Sequence, residues 1–222
     1  MRFIISLIIL PVCWAFLKIS FTVICEFSVF TAYMLVGTVI AVFSVISKGY
    51  IGRFDIFLHE LNHVLWSSIA GIEVKGFSTG SDGGHVEVEK LNIFAALAPY
   101  FFPIPLALLA GGHILIGLAG LNNKYYLLTE YFLTGFFYTR HIITTFQILI
   151  PGQPDTRPSG LILSSSLIAT LFFFWSSFFI IIVTPNFYLA DFLALSYKEI
   201  SSGYFFYYKL FLNSYEFVVN HV

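Results

Sequence analysis

Two stretches of 33 residues, 91–123 and 158–190, contain no Asp, Glu, Lys or Arg, and a third, residues 27–47, runs 21 residues without one. Each can cross the hydrocarbon of a bilayer as a helix, which takes about 20 apolar residues at 1.5 Å per residue. A chain built this way cannot hide all of its apolar surface in a water-facing fold. The composition agrees, with 58% hydrophobic, 19% aromatic and only 10% charged residues and a mean hydropathy of +0.87. The pattern predicts an all-α polytopic membrane protein of about five to seven membrane helices.

Residues 3–17 are apolar behind Arg2 and have the length of a signal peptide's hydrophobic region. The segment lacks a convincing small-x-small cleavage site, so a retained first span paired with the second is expected, kinked at Pro11. There is no repeat, no low-complexity linker and no composition shift large enough to separate a soluble domain, which predicts a single membrane-embedded domain over residues 1–222. The net charge of -1 gives no basic surface for nucleic acid or an anionic partner. Cys13 and Cys25 both fall in apolar spans and read as small core residues, without metal-ligand spacing.

One stretch carries chemistry: His59-Glu60-Leu61-Asn62-His63. On a helix, residues four apart share a face, so both imidazoles can aim a nitrogen at one zinc ion. Glu60 can then reach a water on that metal and act as general base. With 6 His and 8 Glu in the chain, chance supplies on the order of 0.006 such motifs. A hydrogen-bonded histidine pair between helices is the structural alternative. The flanks Ile56-Phe57-Leu58 and Val64-Leu65-Trp66 are apolar, as a dry pocket requires.

The segments around the motif define its setting. Ser47-Lys48-Gly49-Tyr50-Ile51-Gly52-Arg53 breaks the preceding helix and places two positive charges at a boundary. A helix over residues 55–70 follows, with Gly71 suited to a left-handed cap. At roughly 16 residues, about 24 Å, it is short for a crossing. The motif lies in its first half, on the side of Lys48 and Arg53. An in-out-in pair over residues 3–47 puts Arg2 there too and Lys18 opposite, and the positive-inside rule makes that side cytosolic.

Ile72-Glu73-Val74-Lys75 and His85-Val86-Glu87-Val88-Glu89 alternate apolar and polar residues around a Gly/Ser turn, predicting a β-hairpin directly after the motif helix. Its edge can hold an extended peptide by strand addition, or it is a surface connector. Residues 91–120 read as a span bent by Pro99, Pro103 and Pro105. Residues 125–150 hold Glu130, Arg140 and His141 and read as a further span or a tilted interfacial helix. A Pro/Gly loop at 151–160 opens the last clear span, 161–184. The aromatic tail, 186–222, suits the membrane interface.

A catalytic zinc takes a third protein ligand and leaves one position to water. Trp66 and Ile69 stand where the metzincin pattern needs Gly and His, which excludes that class. Thermolysin-type ligation has Glu87, Glu89 and Glu130 as its only nearby candidates, none in a fitting setting. Asp155, in the loop before an apolar helix, is the best candidate; the alternative is a cap-like loop aspartate.

His59-Glu60-Leu61-Asn62-His63 on an apolar helix, the glycine-rich strand-forming segment 76–88, and Asp155 with Gly160 before a late span together resemble the site-2 protease family of intramembrane zinc metalloproteases. The resemblance covers residues 54–184, the expected core. It implies that His59, His63 and Asp155 hold Zn2+ and that Glu60 is the catalytic base. Family members often carry an Asn/Pro stretch ending in Leu-Asp-Gly; this chain has Gln153-Pro154-Asp155 and its glycine five residues on. It looks like a compact, divergent branch without an inserted PDZ domain.

The expected function is hydrolysis of peptide bonds in membrane-associated proteins, by a multi-pass protein of the cell membrane with its active site nearer the cytosol. The competing class is a non-catalytic membrane protein, an inactive relative or a transporter. Among the other polar residues, His113 can face the pocket or bond another helix, and His85 can bind substrate or metal or face solvent. His141 and His221 read as structural or interfacial, and Glu26 as a partner for a cation or the lining of a wet cavity.

Overall fold

In the computed structural model the described residues are 1–25, 29–48, 52–80, 83–90, 92–149, 154–157, 159–184 and 188–221, the side chains of 48 and 215–221 excepted. Glu26, Gln153 and the side chain of His221 lie outside that description. Eight α-helices and one hairpin are formed among the described residues: α1 (Arg2–Cys25), α2 (Val29–Lys48), α3 (Arg53–Ile69), β1 (Val74–Thr79), β2 (Gly84–Val88), α4 (Ile93–Phe101), α5 (Ile104–Leu118), α6 (Lys124–Leu149), α7 (Leu161–Val183) and α8 (Leu189–His221).

Among them α1, α2 and α7 are long and apolar enough to cross a membrane, and α4 with α5 makes a fourth span if the bent pair is counted as one. That is fewer than the five to seven expected. The 17 residues of α3 are too few, while α6 and α8 carry charges within their length, including Glu130 and Arg140 in one and Asp191, Lys198 and Lys209 in the other. The span expected over 91–120 is bent by 75° at Phe102 and Pro103. Proline removes a helix donor and pushes its predecessor out of helical geometry, and Phe102 is extended. Phe3, Ile8, Trp14 and Phe21 of α1 and Val39, Phe43 and Ile46 of α2 face outward. Outward rows of this kind suit a hydrocarbon surrounding better than water.

The first two helices do not make each other's main contacts, contrary to the expected pairing. α1 packs chiefly on α7 and α8, and α2 on α6. Close backbone approach explains the second pair. A Cβ on Gly37 would lie 2.0 Å from the Phe132 carbonyl oxygen, and one on Gly135 would lie 1.9 Å from that of Met34. Only glycine lets these helices meet, and small residues at helix contacts are the usual device where the surroundings are as apolar as the side chains. Gly135→Ala should therefore lower the melting temperature of the detergent-purified protein, a loss of about 1–3 kcal/mol or more. Gly112→Ala, where a Cβ meets nothing within 4 Å, should be neutral or slightly stabilising. Equal melting temperatures for the two variants would remove this account of the α2–α6 contact.

Two apolar clusters fix the rest. Phe16, Ile19 and Val23 of α1 meet Phe30 and Met34 of α2, Tyr131 of α6 and Phe179–Ile181 of α7. Leu97, Tyr100 and Phe101 of α4 pack with Ile168 of α7 and with Trp66 of α3. The second cluster holds the motif helix against α4.

Candidate metal centre

α3 begins where Asp55 turns back on its first turn, accepting a hydrogen bond from the Gly52 amide at 3.0 Å. Arg140 of α6 reaches the same carboxylate through Nε at 3.0 Å and through its second nitrogen, and donates to Ser44 Oγ of α2 at 3.2 Å. This forked ion pair, buried between three helices, fixes the start of α3. Its end is the expected left-handed cap. Gly71 has φ 67°, its amide bonds Ser68 O at 3.0 Å and the Ile72 amide bonds Ser67 O at 2.9 Å. That double closure turns the chain directly into the hairpin.

The hairpin is antiparallel, with Phe77 opposite Val86, Ser78 opposite His85 and Thr79 opposite Gly84. It docks on α3 through an edge-to-face contact of Phe77 with Phe57, centroids 6.1 Å apart. Gly84 then lies directly over Glu60: a Cβ there would come within 2.3 Å of Glu60 Cγ and 2.7 Å of Oε1. The missing side chain is what lets the Glu60 carboxyl fit beneath β2, where it is buried.

His59 and His63 lie one turn apart on α3, ring centroids 5.0 Å apart. Asp155 comes to them from a short 3-10 turn, Pro154–Thr156, ahead of α7. Its Oδ2 is 3.7 Å from Nε2 of each histidine, longer than a hydrogen bond. The ligand atoms of His59, His63 and Asp155 all lie within 4.8 Å of one another. Donors around a tetrahedral zinc, at about 2.0–2.1 Å from the ion, stand roughly 3.3 Å apart, so small side-chain movements close this set on a metal. Two imidazoles and one carboxylate with room for a water are also the donor chemistry of a catalytic zinc. Burial alone would raise the Asp155 carboxyl; the two imidazoles and the Tyr100 hydroxyl outweigh it and hold it well below the usual carboxylate range.

Neighbouring groups orient these donors. His63 Nδ1 is 2.9 Å from the main-chain oxygen of Ala95 in α4. A carbonyl only accepts, so Nδ1 carries a proton, which leaves Nε2, on the Asp155 side, as the nitrogen that can serve a metal. Tyr100, also of α4, donates its hydroxyl to Asp155 Oδ2 at 2.7 Å and sets its ring against His59 at 5.3 Å. α4 is held in place by its own cap, Asn92 Oδ1 accepting from the Phe94 and Ala95 amides at 2.8 and 3.2 Å. Asp155 does not cap α7, whose N-cap is Gly160.

A cleft of about 230 Å³ opens over the group, lined by His59, Glu60, His63 and Asp155 on one side and by Gly84, His85 and Val86 of β2 on the other. His85 is exposed on β2 and lines this cleft. Glu130 takes no part: it is buried at the α5–α6 contact, bonded to His113 Nδ1 at 2.7 Å and to the Tyr126 hydroxyl at 3.0 Å. That pair realises the helix-to-helix role weighed for His113 and takes Glu130 out of the ligand set. Among the described residues, Glu87 and Glu89 also stand outside the metal-competent group. Tyr100 and the Ala95 carbonyl were not foreseen, and nothing in their local sequence marks them; Gly84 lies in the glycine-rich segment 76–88, but its place over Glu60 was not foreseen.

Compared with known proteins, the chain matches no family model, no curated protein and no solved structure.

Proposed function

We propose that this chain is an intramembrane zinc metallopeptidase that hydrolyses peptide bonds of membrane-associated proteins. The reading is carried by one observation: Asp155, more than ninety residues from the motif in sequence, faces both of its histidines at 3.7 Å beside the buried Glu60. The motif's likeness to the site-2 protease family supports the same assignment.

His59, His63 and Asp155 would hold the ion. When bound, zinc supplies a Lewis acid that lowers the pKa of a water to about 7 and polarises a carbonyl. Glu60 takes the proton from the attacking water and returns it to the leaving amine. His63, fixed by Ala95, and Asp155, fixed by Tyr100, keep their donor atoms aimed at one point. Tight cover of Glu60 by β2 restricts the carboxylate to that side of the cleft. The edge of β2 along the cleft offers main-chain groups that can draw a substrate out as a strand, since a helix hides its peptide bonds from attack.

In this reading α1, α2, α7 and the bent α4–α5 pair hold the protein in the cell membrane, with the shorter α3 and the charge-bearing α6 packed among them. The short α3 keeps the metal near the Arg53 end, the cytosolic side by the positive-inside rule.

Elemental analysis of the purified chain should give about one zinc per molecule, lost in His59→Ala. Chelation should stop cleavage of a membrane-protein substrate in reconstituted vesicles, and added zinc should restore it. A folded wild-type chain that takes up no zinc would sink the reading and favour a non-catalytic membrane protein.

A further inference from the structure

Behind the candidate metal centre lies a second, smaller cavity of about 40 Å³, between α3, the α4–α5 bend and α6. His59 lines both this cavity and the substrate-side cleft. Three other residues of its wall carry a buried polar atom with no hydrogen-bond partner among the described residues: Asn62 Oδ1, His141 Nε2 and Thr145 Oγ1. Asn62 is only 3% exposed. Buried polar atoms are almost always satisfied, because leaving one unpaired forfeits its hydration. Three around one void call for an occupant.

The chemistry of the wall selects it. The Asn62 amide nitrogen donates to Leu58 O at 3.1 Å, which leaves its oxygen as a free acceptor. His141 stacks on Phe172 at 5.6 Å. Its Nε2, without a partner among the described residues, is an acceptor in one of the two neutral imidazole tautomers. The Thr145 hydroxyl can give or take. Two acceptors and a hydroxyl match water, which donates twice, and about 10–15 Å³ suffices for one molecule. Arg140 lines the same void, and its guanidinium disfavours a metal cation.

A ligand histidine usually donates its second ring N–H to a carboxylate, a carbonyl or a water, which fixes its tautomer. His63 has Ala95 for this purpose. With Nε2 of His59 facing Asp155, its Nδ1 lies on the opposite edge of the ring and has no protein partner among the described residues. We propose that this cavity holds internal water, and that the water accepts the Nδ1 proton of His59 while donating to Asn62 and His141. Asn62, His141 and Thr145 are then positioning residues for the first zinc ligand. The inference rests on the reading of His59 as a ligand.

Asn62→Leu and His141→Phe nearly keep the side-chain shape and remove one acceptor each, the first also removing the amide's bond to Leu58 O. Chelator competition should show zinc bound 10–100-fold more weakly in each, with melting temperatures of the metal-free proteins unchanged. Histidine 15N spectra of the wild type should show His59 protonated at Nδ1. Wild-type zinc affinity in both variants would overturn the inference while leaving His59 as a ligand. A wild type without zinc would remove the ligand reading and this inference with it. A high-resolution zinc-loaded structure adds a test that needs no variant: ordered water within about 3.2 Å of His59 Nδ1 is expected, and a dry cavity would refute it.

Discussion

Glu60→Gln is expected to keep zinc at wild-type stoichiometry and to abolish proteolysis. The substitution keeps the volume that fits beneath Gly84, where a single added carbon would already come within 2.3 Å of the Glu60 side chain. Size is therefore conserved and only basicity is lost, since an amide oxygen does not take a proton at neutral pH. General-base catalysis contributes about 10²–10⁴-fold, so kcat on a reconstituted substrate should fall by at least about a hundredfold. Zinc should remain because Glu60 is outside the set His59, His63 and Asp155 whose donor atoms converge. Elemental analysis and a cleavage assay on the same preparation separate the two effects. Undiminished cleavage in the purified variant would refute Glu60 as the base; loss of both zinc and cleavage would assign it to structure instead.

What was legible in the chain was what depends on neighbours in sequence. The four-residue spacing puts both histidines on one helix face whatever surrounds them, and Gly71 followed by alternating residues ends α3 and starts the hairpin by local backbone rules. Asp155 stood out by its place in a Pro/Gly loop before an apolar helix, and the resemblance tilted the choice, because nothing local separates a ligand aspartate from a loop aspartate. Long-range choices were less visible. The α2–α6 pairing depends on Gly37 and Gly135 meeting opposite carbonyls, and two glycines among sixteen announce no partner. Asp55 and Arg140 did carry a signal: lone charges of opposite sign in apolar stretches must pair or face water. Tyr100 carried none, since an aromatic residue in an apolar helix is ordinary until its hydroxyl finds a carboxylate.

Asp155→Ala is expected to weaken zinc binding more than any other change near the centre that spares the histidines. Two imidazoles would remain, and removal of groups that merely orient a ligand already costs about 10–100-fold in metal affinity. Tyr100→Phe belongs to that lesser class, because it takes away the 2.7 Å hydroxyl contact with Asp155 and leaves the carboxylate. Asp155→Ala should exceed it, with a loss beyond about a hundredfold. A thermal readout distinguishes ligation from a loop role. Zinc at a hundred times its Kd stabilises a folded binder by about 2.7 kcal/mol, so the wild-type melting temperature should rise with zinc. The rise should vanish in Asp155→Ala at the same zinc concentration and persist, reduced, in Tyr100→Phe. Gly160, not Asp155, stands at the N-cap of α7, which leaves no capping role to explain a zinc-dependent effect. If Asp155→Ala binds zinc as tightly as the wild type, the third ligand is some other group and the proposed centre fails at the residue that joins its two halves.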